Sequence, residues 1–521
     1  MPTLSPRALL LAAVFALGVA LRCWHLDDAL LWHDEVATRV FATGHTPEAW
    51  LAALYDGRVH TMEEVRRFQR YDGGFDVLPT ITGLAKDDPQ HPPLYYIAAR
   101  AWVAAFGDSV SALRSLSVVT GVALLPSLAW AAWELFRTRR AAWTAAALAA
   151  SSPFFVLYAQ EAREYALWSA LVALHAASLL RAVRISEEPS ASARRQVAAW
   201  SWYALITAVA LYTSFSTTGP ILAHIVFIAG RARLRPDRTS LSAAAAMAVA
   251  AVSFAPWALA LSRHYEAFAA SMRWSKEIVI PNSSLLRIQA FNASRSVIDL
   301  WPELDNGAAW VATALALALF ASALLHVARR ERRDAALLVL LIVALPVGLM
   351  LGPDLLYGGI RSVSARYMTP AWLGLLLALA AWLSAVPRRE PLLALVLAVG
   401  LGSAWHNAGQ PTVWTKGTSV GLPAIAALVN AQPTPLVVGG MESHSPGSLM
   451  ALANLLRDDA HMQLRTIEEE EAWRLPADKA IFLLNPIPPY REAMERRDGV
   501  TTRRVYHDLF LELWVVERPT S

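Results

Sequence analysis

One cysteine, Cys23, stands in a chain of 521 residues, so a disulfide framework and a thiolate metal site are both excluded. Charge is scarce as well: Asp, Glu, Lys and Arg make up 17% of the sequence, where a soluble domain carries about a quarter. No small-x-small cleavage site follows the first apolar segment. It ends Leu21-Arg22-Cys23-Trp24, so the segment is expected to stay as an anchor. Gly439-Gly440 is not part of a GxGxxG pattern, which argues against a nucleotide site. No internal repeat is evident. The net charge of +4 does not signal nucleic-acid binding. The basic residues sit in short loops between apolar runs, where membrane topology accounts for them.

What the sequence has in quantity is hydrocarbon. Hydrophobic residues make up 55% of it, with 20 Trp, and mean hydropathy is +0.36. Runs such as Pro2–Trp24, Ala141–Tyr158, Val197–Phe215 and Trp310–Val327 are each about long enough to cross a ~30 Å hydrocarbon core. The abundant Trp fits anchoring at both interfaces. An all-α polytopic membrane bundle is predicted, with spans near 8–24, 112–136, 141–158, 165–184, 197–215, 217–232, 241–261, 308–328, 335–352, 368–386 and 391–407, about eleven in all.

The arginines orient this bundle. Arg7 precedes the first span. Basic sites recur after every second crossing, at Arg137–Arg140, Arg181–Arg195, Arg231–Arg238, Arg329–Arg333 and Arg388-Arg389. The N-terminus is therefore read as cytoplasmic and the C-terminus as external. The apolar stretch Pro92–Phe106 is about fifteen residues long and contains Arg100. Counting it as a crossing would invert the map, so it is read as a helix lying in the outer interface.

The external pieces are then 25–111, 159–164, 262–307, 353–367 and 408–521. Residues 1–407 form the membrane part, and 408–521 a small extracytoplasmic α/β domain. Its expected elements are a strand at Leu436–Gly440, a helix at Ser448–Leu456, strands at Gln463–Ile467 and Ala480–Leu484, a helix at Tyr490–Arg497, and a strand pair or long strand over Thr502–Val516. Glu468–Glu471 reads as a solvated helix start.

Four polar clusters fall on the external side: Trp32-His33-Asp34-Glu35, His91-Pro92-Pro93-Leu94-Tyr95-Tyr96, the turn Tyr158–Tyr165, and Ser364-Ala365-Arg366-Tyr367-Met368-Thr369-Pro370. Acidic groups beside hydrocarbon are costly and persist where they carry chemistry or ion movement. Membrane insertion could gather these clusters into one cavity. His175 and His224 lie inside spans and are expected to bond to a neighbouring helix rather than relay protons. Asn282 and Asn292 head Asn-x-Ser sequons that are read as chance.

At these residues the chain resembles the bacterial GT-C membrane glycosyltransferases, the protein mannosyltransferase-like glycosyltransferase family 39 and the related aminoarabinose transferases. The Asp34-Glu35 pair after the first span resembles the family's first-loop Asp-Glu. The His91–Tyr96 run resembles the start of its juxtamembrane helix. Phe106-Gly107, Ala112-Leu113-Arg114 and Gly121 match the next stretch. The Tyr-x-Gln-Glu-Ala-Arg-x-Tyr turn and the late Arg366-Tyr367-x-x-Pro370 complete the set. The resemblance covers about residues 8–230 and returns at 361–372.

It implies transfer of a hexosyl or pentosyl group from a polyprenyl-phosphate sugar to a lipid, glycan or protein acceptor of the cell envelope, on the outer face of the bacterial inner membrane. On that reading Asp34 takes the proton of the attacking hydroxyl, and Glu35 is second choice, orienting Asp34 or a metal. Arg163, Arg366 and Arg361 are the candidates for the departing phosphate. His91, Glu161, Tyr165 and Tyr367 would contact substrate. The displacement would be direct and inverting. A divalent ion held by His33, His91 and a carboxylate is chemically feasible, but ordinary polar neighbours are the preferred reading of both histidines. Two alternatives stay open: a transporter or flippase for lipid-linked sugar, for which Pro220, Pro256 and Pro346 could break helices, and a ligase or polymerase of larger glycans.

Overall fold

The computed structural model describes residues 5–233, 235–299, 307–440, 446–465, 475–476 and 478–518. The run Glu468–Glu471 lies outside them. The chain forms two compact units. One comprises 1–26, 84–95 and 114–409; the other comprises 27–83, 96–113 and 410–521.

The first unit is helical, as hydrocarbon demands of a spanning backbone that must satisfy its own hydrogen bonds. Among the described residues, eight helices are long and apolar enough to cross a membrane: Pro6–Cys23, Val110–Phe136, Tyr165–Glu187, Arg238–Arg263, Gly307–Arg330, Arg333–Tyr357, Ala365–Ser384 and Pro387–Ala408. The expected span 141–158 is a bent pair, Arg139–Ser151 and Pro153–Ala159, with 61° between its halves. The two other expected spans correspond to the helices Ala193–Thr213 and Thr218–Arg231. The second of these, with 14 residues, is about 21 Å long, short of a ~30 Å core on its own. Helix Arg238–Arg263 runs on through Pro256, and helix Arg333–Tyr357 through Pro346 and Pro353. Pro220 sits in the first turn of its helix, where a missing N–H costs nothing. None of the three prolines weighed for the transporter reading breaks a helix.

Carboxylates tie the basic sites together at one end of this bundle. Glu390 pairs with both Arg7 and Arg140. Glu134 pairs with Arg137 at 2.7 Å and Arg184 at 3.0 Å. Arg231 joins Glu187 and, at 3.3 Å, Asp334. The six basic stretches of the arginine map thus share an end. At the opposite end, Gln160 donates to the carbonyls of Leu21 and Trp24, both at 2.8 Å. Two helices are innermost: Ala365–Ser384 and Tyr165–Glu187 have 89% and 83% of their apolar stretch buried, against 22% for Pro6–Cys23.

The second unit is an α/β layer built on a six-stranded sheet. Its strands are β1 (Val59–Thr61), β2 (Leu436–Gly440), β3 (His461–Arg465), β4 (Ile481–Leu484), β5 (Thr501–His507) and β6 (Glu512–Glu517), in spatial order β1-β3-β2-β4-β6-β5. β2 is parallel to β3 and β4, and the remaining pairs are antiparallel. Successive side chains on β2 and β4 enter opposite cores. Val437, Phe482 and Leu484 join one, Leu436, Val438, Ile481 and Leu483 the other. Parallel strands need cover on both faces, and here they have it.

The strands and helices expected between 436 and 516 are found within a few residues. The Thr502–Val516 stretch is a hairpin, β5 and β6. Residues 408–521 were expected to stand as a domain of their own. The compact unit instead also takes in most of the first loop: Trp32, Val36, Val40, Met62 and Val65 share a core with β2, β3 and β4, and β1 adds an edge strand. Short amphipathic loop helices cannot bury their apolar faces alone, and these use the sheet.

Leu94–Phe106 forms a helix of 13 residues, about 20 Å long and too short to cross. Its Arg100 is buried in the second unit, donating to Asp72 at 3.1 Å and to the Gly74 carbonyl at 2.6 Å.

Candidate active-site residues

In the second unit, a helix begins at His33 and runs to Ala42, with Asp34 and Glu35 in its first turn, where the helix dipole favours negative charge. The two neighbouring carboxylates have different surroundings. The Glu35 side chain has no exposed surface and meets the Lys416 ammonium at 3.1 Å. Lys416 also donates to the Leu30 carbonyl. The Asp34 side chain keeps 17% of its surface and meets His33 Nε2 at 2.9 Å. A carboxylate accepts only, so Nε2 carries the proton when the ring is neutral, and His33 Nδ1 then accepts from the Thr418 hydroxyl at 2.9 Å. Thr418 and Lys416 come from a short 3-10 segment, Trp414–Ser419. Sequence reading missed both, because nothing local ties them to residues some 380 positions earlier.

In the first unit, three of the four sequence clusters converge. His91 lies before helix Leu94–Phe106, and its Nδ1 is 3.3 Å from Glu164. Arg163 approaches His91 Nε2 at 3.3 Å and pairs with Glu164 at 3.4 Å. Burial would push the Glu164 carboxyl up, but the Arg163 charge and the hydrogen bond to His91 outweigh it and hold the group down at about 2. Burial draws the His91 imidazole down, yet Asp88 and Glu164 leave it above its ordinary value. Arg366 lies over the Tyr165 ring at 5.4 Å and the Tyr367 ring at 5.5 Å, and Arg163 stands 5.9 Å from the same Tyr165 ring. Tyr165 is a buried platform that both guanidiniums approach, a favourable cation–π arrangement. The platform lies where the two innermost helices begin, Tyr165–Glu187 and Thr369–Ser384. The positive ends of both helix dipoles add to the arginine charges.

Other expected residues are placed differently. Arg361 donates to Asp354 at 2.7 Å and to the Gly358 carbonyl at 3.0 Å. Asp354 is fully buried and also accepts the Ser362 N–H, so Arg361 is committed to holding its own loop. Glu161 is buried within the turn. Its carbonyl accepts the Arg163 N–H at 2.7 Å. Glu164, which the sequence reading did not single out, is the acid beside both Arg163 and His91. His224 bonds the Tyr203 hydroxyl of a neighbouring helix at 3.1 Å, and His175 stacks on the Tyr203 ring. Asn292 is buried and donates to the Val363 carbonyl. Among the described residues no three His, Cys, Asp or Glu side chains gather as a metal site. His33 and His91 belong to different units, and each is engaged by partners of its own.

No protein-family model matches the chain. No curated protein matches its sequence. Solved structures do match its fold. ArnT from Cupriavidus metallidurans bound to undecaprenyl phosphate superposes with a TM-score of 0.55 at 13% identity, covering 98% of this chain and 97% of that one. The apo state of the same protein gives 0.53 at 13%, covering 90% and 96%. AglB from Archaeoglobus fulgidus, an archaeal oligosaccharyltransferase in complex with an inhibitory peptide and a dolichol-phosphate, gives 0.49 at 13%, covering 86% and 64%. The fold is that of the GT-C membrane glycosyltransferases, and the chain is a multi-pass membrane protein.

Proposed function

We propose that this chain moves a sugar from a polyprenyl-phosphate donor to an envelope acceptor at the external face of the inner membrane. The carrying observation is that the guanidiniums of Arg163 and Arg366 lie 5.9 and 5.4 Å from the same Tyr165 ring, at the start of the two innermost helices. That arrangement suits a phosphate that gains charge as it leaves. ArnT, which has this fold, was solved with undecaprenyl phosphate.

The reaction is a single displacement. The acceptor hydroxyl oxygen bonds to the anomeric carbon, and the carbon–oxygen bond to phosphate breaks. The electron pair leaves with the polyprenyl phosphate, and the hydroxyl proton passes to Asp34. His33, fixed by Thr418, holds the Asp34 carboxylate. Glu35 has no exposed surface to offer a substrate. Its part is to lock the first turn that carries Asp34.

The test uses purified protein in proteoliposomes with a radiolabelled polyprenyl-phosphate sugar and the envelope fraction of a deletion strain. Mass spectrometry of that strain identifies the acceptor as the glycolipid or glycan that loses its sugar. Asp34→Asn is expected to cut transfer by at least about a hundredfold, the usual range for a lost general base, while donor binding persists. Arg366→Ala is expected to weaken donor use. Transfer by Asp34→Asn at the parental rate would remove the base assignment. Donor crossing the bilayer with no product formed would favour a transporter.

A further inference from the structure

The basic end of the bundle holds a feature that sugar transfer does not use. Between the helices Thr218–Arg231 and Arg238–Arg263 lies a cavity of about 360 Å³. Its walls are apolar, formed by residues such as Ile225, Ile228, Leu241, Ala244 and Met247, with Arg235 and Ser240 among the few polar lining groups. Three arginines of the connecting loop, Arg233, Arg235 and Arg238, are exposed. They contrast with Arg231, the last residue of the preceding helix, which is neutralised by Glu187 and Asp334. The one acid among them, Asp237, is turned to the helix N-terminus, where it accepts the Ser240 N–H at 2.7 Å.

An apolar slot with Arg235 in its lining and the exposed Arg233 and Arg238 within three residues of it along the chain, at the end that the arginine map assigns to the cytosol, combines two chemistries. A free phosphate would use only the arginines, and a neutral lipid only the slot. We propose that this cavity binds an anionic phospholipid of the cytoplasmic leaflet, its phosphate among the three guanidiniums and the upper part of an acyl chain between the two helices. Guanidinium groups near a membrane surface each add roughly fivefold to the attraction for anionic lipid.

Native mass spectrometry of the full chain in detergent, with equal phosphatidylglycerol and phosphatidylcholine added, tests this. Phosphatidylglycerol is expected to be retained preferentially. The triple variant Arg233→Gln, Arg235→Gln, Arg238→Gln should lose that preference by on the order of tenfold or more. Ala244→Trp, which fills the slot and leaves every charge in place, should lower retention of phosphatidylglycerol severalfold. Excess inorganic phosphate should not displace the lipid. Equal retention of the two lipids, an unchanged preference in the triple variant, unchanged retention in Ala244→Trp, or displacement by phosphate would each overturn the proposal. Because the two kinds of variant attack arginines and slot separately, misfolding of one leaves the other decisive.

Discussion

A carboxylate with no exposed surface is tolerable only when paired, and Glu35 is paired with Lys416 at 3.1 Å. Removing one partner strands the other charge, at a cost of about 3–5 kcal/mol. Glu35→Gln and Lys416→Met should each lower the melting temperature in detergent, whereas the double variant should lose markedly less than the sum. Additive losses would show that the two are not coupled. A pair in the other unit, His91–Glu164, brings pH into play. Glu164 is depressed from 4.5 to about 2, so its contribution to stability is present above 4.5 and is lost as pH falls toward 2. His91 is raised above 6.5, so its contribution is present below 6.5 and is lost as pH rises through the raised value. The destabilisation caused by Glu164→Gln should therefore be largest between about pH 4.5 and 6.5 and shrink above that window. Melting curves across pH check it, and a pH-independent loss would refute the linkage. That an acidic pair stands beside His33 is plain from the sequence. Which acid is exposed is set by Lys416 and Thr418, whose distance along the chain hides them.

Where a helix ends inside a bundle, its last carbonyls need donors. The half-helix Arg139–Ser151 ends in this way, and Arg22, itself fully buried, donates to the carbonyls of Ala149 at 2.8 Å and Ala150 at 2.9 Å, as well as to Gly18 of its own helix. The contact requires close approach. A Cβ on Gly18 would lie 2.4 Å from the Ala150 carbonyl oxygen, a backbone atom that cannot swing aside. Gly18→Ala is expected to push the two helices apart, and Arg22→Met to leave two carbonyls unsatisfied at about 1–3 kcal/mol each. Both should lower thermal stability in detergent, and an unaltered melting temperature for Arg22→Met would show that the cap is dispensable. Most spans were legible because a hydrocarbon slab imposes a minimum apolar length. The 61° break within 141–158 was not foreseen. Its signal was present in Ser152-Pro153, since the residue before a proline is driven out of the α region, and Ser152 is indeed extended at φ −65°, ψ 119°.

Across the whole molecule, the arginine spacing gave an alternating map, and the carboxylates Glu134, Glu187, Asp334 and Glu390 join its basic sites at one end of the helical unit. The map predicts that residues 34 and 366 face the same side of the membrane. With Cys23, the sole native thiol, replaced by serine, single cysteines at those positions should react with an impermeant maleimide added to intact spheroplasts. Protection of either one would sink the topology and the proposed chemistry together. The α/β order near the C-terminus was legible from turn residues and strand runs. Its merger with the first loop was not, because three residues, Val59–Thr61, carry no periodicity of their own and become a strand only against Met462. That pairing joins segments roughly 400 residues apart. At a synthesis rate of about 5–20 residues per second, the first loop waits on the order of 20–80 s for its partner to leave the ribosome. Until then the apolar side chains of the first loop lack the sheet they pack against, so completion of this unit is paced by the synthesis of its distal strands.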